Sequence, residues 1–301
     1  MKEEDAESRA RLRGFLLSVI ALLLFFSWPL LRLLRYALSS DLYSYIILIP
    51  FVSGYLIWNK RKALPTLSRP NQEFTFFTWI AGMAVLGVYL AKAFSGDNLA
   101  VEDSLAFLTL SFLLLFWGLC SWFLGKQALR SMAFPLGFLI FLIPFPVLLR
   151  FWIETFLQYC SAYAALALFD MTGIPVFYSD LTFQLPNITL LVAPECSGIH
   201  SSLALLITSI LAGHLFLRSN WKRIALAFAV LPLAILRNGF RIFTLGELCI
   251  HVGPEMIDSN IHHKGGPIFF IISLVPLLAL LLFLIRSERP MGVPLSIRHE
   301  A

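Results

Sequence analysis

Charge is scarce in this sequence. Only 14% of its 301 residues are Asp, Glu, Lys or Arg, against 58% hydrophobic, and the mean hydropathy is +0.80. A soluble domain of this length cannot hide that much apolar surface. Strand-like alternation is missing too. The apolar runs are continuous, which argues against a membrane barrel. They are near twenty residues long, the length a helix needs to cross a hydrocarbon core of roughly 30 Å. A basic patch is also absent. The net charge is +5, yet the basic residues sit in short clusters between apolar runs, so nucleic acid is not an expected partner. The four cysteines, at 120, 160, 196 and 249, form no CxxC and no paired framework. His251, His262 and His263 lack the tight spacing of a metal site, so neither metal nor cofactor is expected. No cleavable signal peptide, repeat, low-complexity tract or soluble domain is evident; the polar start MKEEDAESRARLR leads into a first span read as retained.

What is present is a series of apolar spans, near 15–34, 41–58, 74–94, 103–124, 131–149, 197–217, 223–248 and 267–285. The breaks NKRKALPTLSR, GKQALR and RSNWKR and the tail RSERP are basic, whereas SGDNLAVED and the stretch around Glu255 and Asp258 are acidic. With both termini in the cytoplasm, all the Lys and Arg lie inside except Arg32, Arg35, Lys92, Arg150, Arg237, Arg241 and Lys264, as the positive-inside rule requires. Residues 151–172 are long enough to span but carry Glu154, Gln158 and Asp170. Letting them span would invert the later charge bias, so an interfacial or re-entrant outer helix is expected. The stretch 174–196 carries strand formers at Val176, Tyr178 and Phe183 and a turn signal at Pro186-Asn187. The expected architecture is an all-α polytopic membrane protein of about eight transmembrane helices, with an interfacial helix and a short outer β-ribbon before Cys196. A cytoplasmic tail (1–14), one transmembrane domain (15–286) and a second cytoplasmic tail (287–301) complete it.

Three polar groups stand where a membrane protein should avoid them. Cys196, in APECSG, ends the outer loop and opens a helix; Arg241 ends RNGFR; His262 and His263 precede Gly265-Gly266-Pro267. Counting back from basic residues at the inner surface, helical rise gives about 33 Å to Cys196 and about 28 Å to both Arg241 and Pro267. All three therefore reach the outer face at a similar level. A thiolate is needed to attack a carbonyl, and a helix N-terminus after Cys196 would favour it. A histidine can take and return a proton, and an arginine can stabilise a thiolate or an oxyanion. The N–H groups of Ser197 and Gly198 are further oxyanion-hole candidates. Each group alone also has an ordinary reading: Cys196 as packing, Arg237 and Arg241, one turn apart, as arginines reaching for headgroups, the histidines as loop residues. His200 reads as a lining group, His214 as too distant, and His251 as a weaker base.

The motifs point further. LLVAPECSGIHSSLALL at 190–206 resembles the cysteine motif of the exosortase/archaeosortase family, RNGFRI at 237–242 its arginine motif, and IHHKGGPIFF at 261–270 its histidine motif; GIPV at 173–176 also fits. The resemblance covers roughly residues 40–285. It implies a membrane-embedded cysteine transpeptidase or protease, in the cell membrane (the inner membrane of a Gram-negative bacterium), with its active site at the outer face. Its substrates would be exported proteins ending in a short motif, one transmembrane helix and a basic tail. The acyl group would pass to an unidentified acceptor, a lipid or polysaccharide. Carried over, Cys196 is the nucleophile, Arg241 the charge stabiliser and His262 the acid/base, with His263, Arg237, Asn238, Ser197 and Gly198 as auxiliaries. Membrane lipids are the remaining expected partners. The rival readings are a non-catalytic assembly factor for exported polysaccharide and a transporter whose outer Arg and His bind substrate.

Overall fold

The computed structural model describes residues 2–63, 69–96, 98–186, 188–253, 255–256 and 266–288. The chain divides into two compact units, Met1–Arg150 and Phe151–Ala301. The first holds α1 (Lys2–Phe25), α2 (Ser27–Ser39), α3 (Leu48–Lys60), α4 (Gln72–Phe94), α5 (Val101–Ser131) and α6 (Ala133–Phe138). Small residues let α4 and α5 lie close. A side chain on Gly118 would run into Trp79 and Thr78, and one on Gly82 would meet Leu115 at 3.0 Å. Ser111 donates across this pair to the Gly82 carbonyl at 2.9 Å. Asn71 caps α4 by accepting from the Phe74 N–H at 3.4 Å.

Five described helices are long and apolar enough to cross a membrane, or up to seven if each of two bent pairs counts as one span. The chain is a multi-pass membrane protein, and the expected count of about eight spans is not confirmed among the described residues. Proline breaks helices within the expected spans. The span expected at 15–34 is two helices bent by 66°, with Pro29 in the first turn of the second, where its ring cannot continue the preceding turn. The span expected at 41–58 is a 3₁₀ turn, Ser44–Ile47, running directly into the thirteen residues of α3, and it is not among the helices that qualify as crossings. The span expected at 131–149 breaks into α6 and a 3₁₀ turn, Leu139–Leu142. Ile143 then turns extended (φ −79°, ψ 116°) ahead of Pro144, as a residue before proline must. Within this unit Arg150 donates to Glu102 at 3.0 Å, as does the Tyr36 hydroxyl at 2.9 Å.

The helix α7 (Val147–Thr172) starts four residues before the expected interfacial segment and runs through it. It qualifies as a membrane crossing only together with Ala133–Leu142. Its end is a Schellman motif. Gly173 takes φ 74°, its N–H donates to the Asp170 carbonyl, and the Ile174 N–H reaches Phe169. The β-ribbon is present as a three-stranded antiparallel sheet: β1 (Phe177–Ser179), β2 (Thr182–Leu185) and β3 (Ile188–Leu191), in that order. Phe177 opposes Gln184, and Phe183 opposes Leu190. A two-residue hairpin turn, Asp180-Leu181, has positive φ at both positions, the twist that tight hairpins favour. Leu181 stands strained there; its carbonyl accepts the Val192 N–H at 2.9 Å.

The inner sheet face builds the core of this unit. Phe183, Leu185, Leu190 and Val192 pack with Phe169 of α7 and with Ile242 and Cys249 of α9 (Asn220–His251). Two glycines bring α9 against its neighbours: a Cβ on Gly239 would lie 2.6 Å from that of Ala164, and one on Gly246 2.5 Å from the Phe169 ring. The remaining helices, α8 (Ile199–Phe216) and α10 (Gly266–Arg286), pack with α9 through Leu205, Val230 and Leu277. Just past α10, Glu288 accepts from the N–H groups of Arg218 and Ser219, both at 2.9 Å. Those two bonds hold its carboxyl below the usual range.

Candidate active site around Cys196

The backbone at the cysteine is irregular. Ala193 is extended (φ −68°, ψ 161°) ahead of Pro194, and Pro194–Ser197 forms a 3₁₀ turn with Gly198 in the left-handed region (φ 72°, ψ 16°). The α-helix therefore begins at Ile199 rather than directly after Cys196, because the left-handed Gly198 cannot continue into it. Only glycine suits that position. Its φ strains any other residue, and a Cβ would lie 2.8 Å from Arg237 Nη2 and 3.0 Å from Asn238 Oδ1.

Irregular backbone among membrane-spanning helices needs side-chain partners, since no ladder serves its carbonyls. Buried side chains from α7 and α9 supply them. Gln158 Nε2 donates to the Val192 carbonyl at 2.9 Å. Asn238 Nδ2 donates to the Cys196 carbonyl at 2.7 Å, and Arg237 Nη2 to the Gly198 carbonyl at 3.2 Å. Ser202 joins them, donating to the Gly198 carbonyl at 2.7 Å and lying 3.4 Å from Arg237 Nη2. Arg237 is 7% exposed and Asn238 2%. Arg237 Nη1 is buried without an acceptor among the described residues. Cys196 is half-buried, its side chain against the cluster that holds Phe183 and Val192.

Of the sequence candidates, Cys196, Ser197, Gly198, Arg237 and Asn238 therefore come together. Ser197 is buried, and its hydroxyl accepts from the Ile199 N–H at 3.4 Å. Arg241 is half-buried one turn further along α9. His262 and His263, and with them Lys264 and Asp258, lie outside the described residues; α10, described from Gly266 onward, covers the expected last span. His251 is 3.1 Å from Glu247 on its own helix face, an ordinary surface pairing for the weaker base candidate. His200 is exposed in the first turn of α8.

Sequence reasoning missed two participants. Gln158 counted only as a polar blemish in α7, and Ser202 not at all. A signal for Gln158 existed: an amide in an apolar helix must find a partner. Nearby, burial pushes the Tyr178 phenol up, so it stays a neutral hydroxyl.

A family model described as the transmembrane exosortase matches residues 37–279. Comparison with curated proteins and with solved structures finds no match.

Proposed function

Because the chain belongs to the transmembrane exosortase family, we propose that it is a membrane-embedded cysteine transpeptidase with Cys196 as its nucleophile. The observation that carries this reading is the cysteine turn. A half-buried thiol stands on irregular backbone whose carbonyls are held by buried side chains of two helices. Cores seldom hold a cation or an amide in this way merely to pack a small thiol.

The Cys196 thiolate attacks the carbonyl carbon of a substrate peptide bond, forming a carbon–sulfur bond. Arg241 stabilises the oxyanion of the tetrahedral intermediate. As the carbon–nitrogen bond breaks, His262 gives its proton to the leaving amine, with His263 as the alternative. The acceptor's nucleophilic oxygen or nitrogen then attacks the thioester and loses its proton to the histidine, and the carbon–sulfur bond breaks to release the Cys196 thiolate. The substrate is an exported protein ending in a short motif, one helix and a basic tail. The acceptor is a lipid or polysaccharide at the outer face. Sequence position supports these assignments for Arg241 and His262, and the charge bias supports the orientation.

Replacing Cys196 by Ser tests the reading. Lost processing of a sorting-signal protein with normal membrane insertion is the expected result. A transporter would tolerate that change but not the loss of Arg241, and an assembly factor would tolerate both.

A further inference from the structure

We infer that Arg237 and Asn238 are positioning residues that latch the cysteine turn at two points, by donating to the Gly198 and Cys196 carbonyls. The inference rests on the transpeptidase reading, which gives the turn its purpose, but its geometry stands independently.

The two residues are adjacent on α9, yet both reach the same short segment some forty residues away in sequence. Their targets flank Ser197. Asn238 takes the carbonyl of the cysteine itself at 2.7 Å, a short bond from a side chain 2% exposed. Arg237 takes the carbonyl two residues on. The Cys196 carbonyl belongs to the peptide plane between Cys196 and Ser197, and the Gly198 carbonyl to the plane between Gly198 and Ile199, so holding both pins the turn at its start and at its end. The Cys196 N–H donates to the Ala193 carbonyl at 2.8 Å and holds the plane before it, so the Cα–Cβ direction at Cys196 is constrained from both sides.

Gly198 is the other half of the latch. Without a Cβ it lets both donors approach, and its left-handed φ turns the chain between the 3₁₀ turn and α8. Arg237 is over-equipped for a merely structural bond. One nitrogen, Nη2, makes both of its contacts, at 3.2 and 3.4 Å, while Nη1 is buried without an acceptor among the described residues. A core selected for stability alone would replace a buried guanidinium so poorly matched. Ser202 trims the arrangement: its hydroxyl donates to the same Gly198 carbonyl that Arg237 holds. Arg237 thus differs in role from Arg241. The first acts through the backbone, the second on the reacting atoms.

The test uses the full-length protein in membranes or detergent, with four variants. Asn238→Leu keeps the volume and removes the donor; Arg237→Met does the same for the guanidinium; Arg237→Lys returns one donor. Thr244→Val is the control, since Thr244 bonds only the Phe240 carbonyl of its own helix. Two quantities are read: kcat and KM for a sorting-signal substrate, and amide hydrogen exchange along the chain.

Misplacing a nucleophile by about 1 Å costs on the order of 10²-fold in rate. Asn238→Leu and Arg237→Met should lower kcat by about that factor while KM stays within about threefold, and Arg237→Lys should recover about tenfold of the loss. Exchange should rise at 193–203 and stay unchanged along the rest of α8 and along α9. Exchange rising along the whole of α8 and α9 would make the residues general packing and overturn the inference, as would kcat unchanged in both apolar variants. If the unaltered protein processes no substrate yet exchange still rises locally in both variants, the latch stands and the transpeptidase reading fails.

Discussion

The two units bury polar groups in different ways. In the first, the buried polar residues along α4 and α5 are hydroxyls: Thr75, Thr78, Ser104, Thr109, Ser111 and Ser121. Thr78 bonds carbonyls of its own helix, Ser111 reaches the facing helix, and Ser121 reaches the Asn71 carbonyl beside α4. Such bonds trim regular helices at little desolvation cost. In the second unit the buried groups include two amides and a guanidinium, Gln158, Asn238 and Arg237, and all three donate to the irregular stretch 192–198. Hydroxyls in the first unit serve packing; amides and a cation in the second hold backbone that no ladder supports. The proposed nucleophile, Cys196, stands on the backbone that this second pattern holds.

Five substitutions put that contrast to the test. The largest effect should come from Gly198→Ala. It forces an L side chain to φ 72° against Arg237 and Asn238, costing about 1–3 kcal/mol of stability and about 10²-fold in processing. Thermal unfolding in detergent and a processing assay read the two, and unaltered processing would remove the latch. Next, Gly118→Ala places a methyl against Trp79 and Thr78. It should destabilise by about 1–3 kcal/mol yet leave processing per folded molecule unchanged; a matching loss of turnover would erase the distinction between the units. Third, Gln158→Leu strands the buried Val192 carbonyl at about 1–3 kcal/mol, whereas Ser111→Ala should cost only about 0.5–1.5 kcal/mol. Equal losses in unfolding temperature would contradict the comparison.

The smallest effect concerns Glu288, whose depressed pKa comes from the Arg218 and Ser219 N–H groups. A depressed carboxyl contributes stability above its unfolded pKa, and that contribution disappears as pH falls through the folded value. Unfolding temperature should therefore decline less from neutral to acid pH in Glu288→Gln than in the unaltered protein. Identical declines would mean that the contact contributes nothing.

Much of this was legible in the sequence, and the failures share a cause. Long apolar runs announce a multi-pass protein because length and hydropathy are local properties. The ribbon before Cys196 was readable from strand formers and a turn signal. The breaks within spans were not, because hydropathy averages over prolines that break the helix: Pro29, Pro144 and Pro146 sit inside runs of fully adequate apolarity. The Arg237-Asn238 pair was visible as a motif, but its targets were not, since they depend on a left-handed Gly198 that no periodicity encodes. Gln158 was overlooked because its partner lies 34 residues away across a hairpin.

The central claim, that Cys196 is a nucleophile, is tested most directly by trapping. The unaltered protein is mixed with a substrate carrying the motif, helix and basic tail, quenched, and examined by mass spectrometry before and after hydroxylamine. The expected result is an acyl adduct on Cys196 that hydroxylamine removes, absent in Cys196→Ala, which should leave the substrate uncleaved. Cleavage by Cys196→Ala at the rate of the unaltered protein would contradict it.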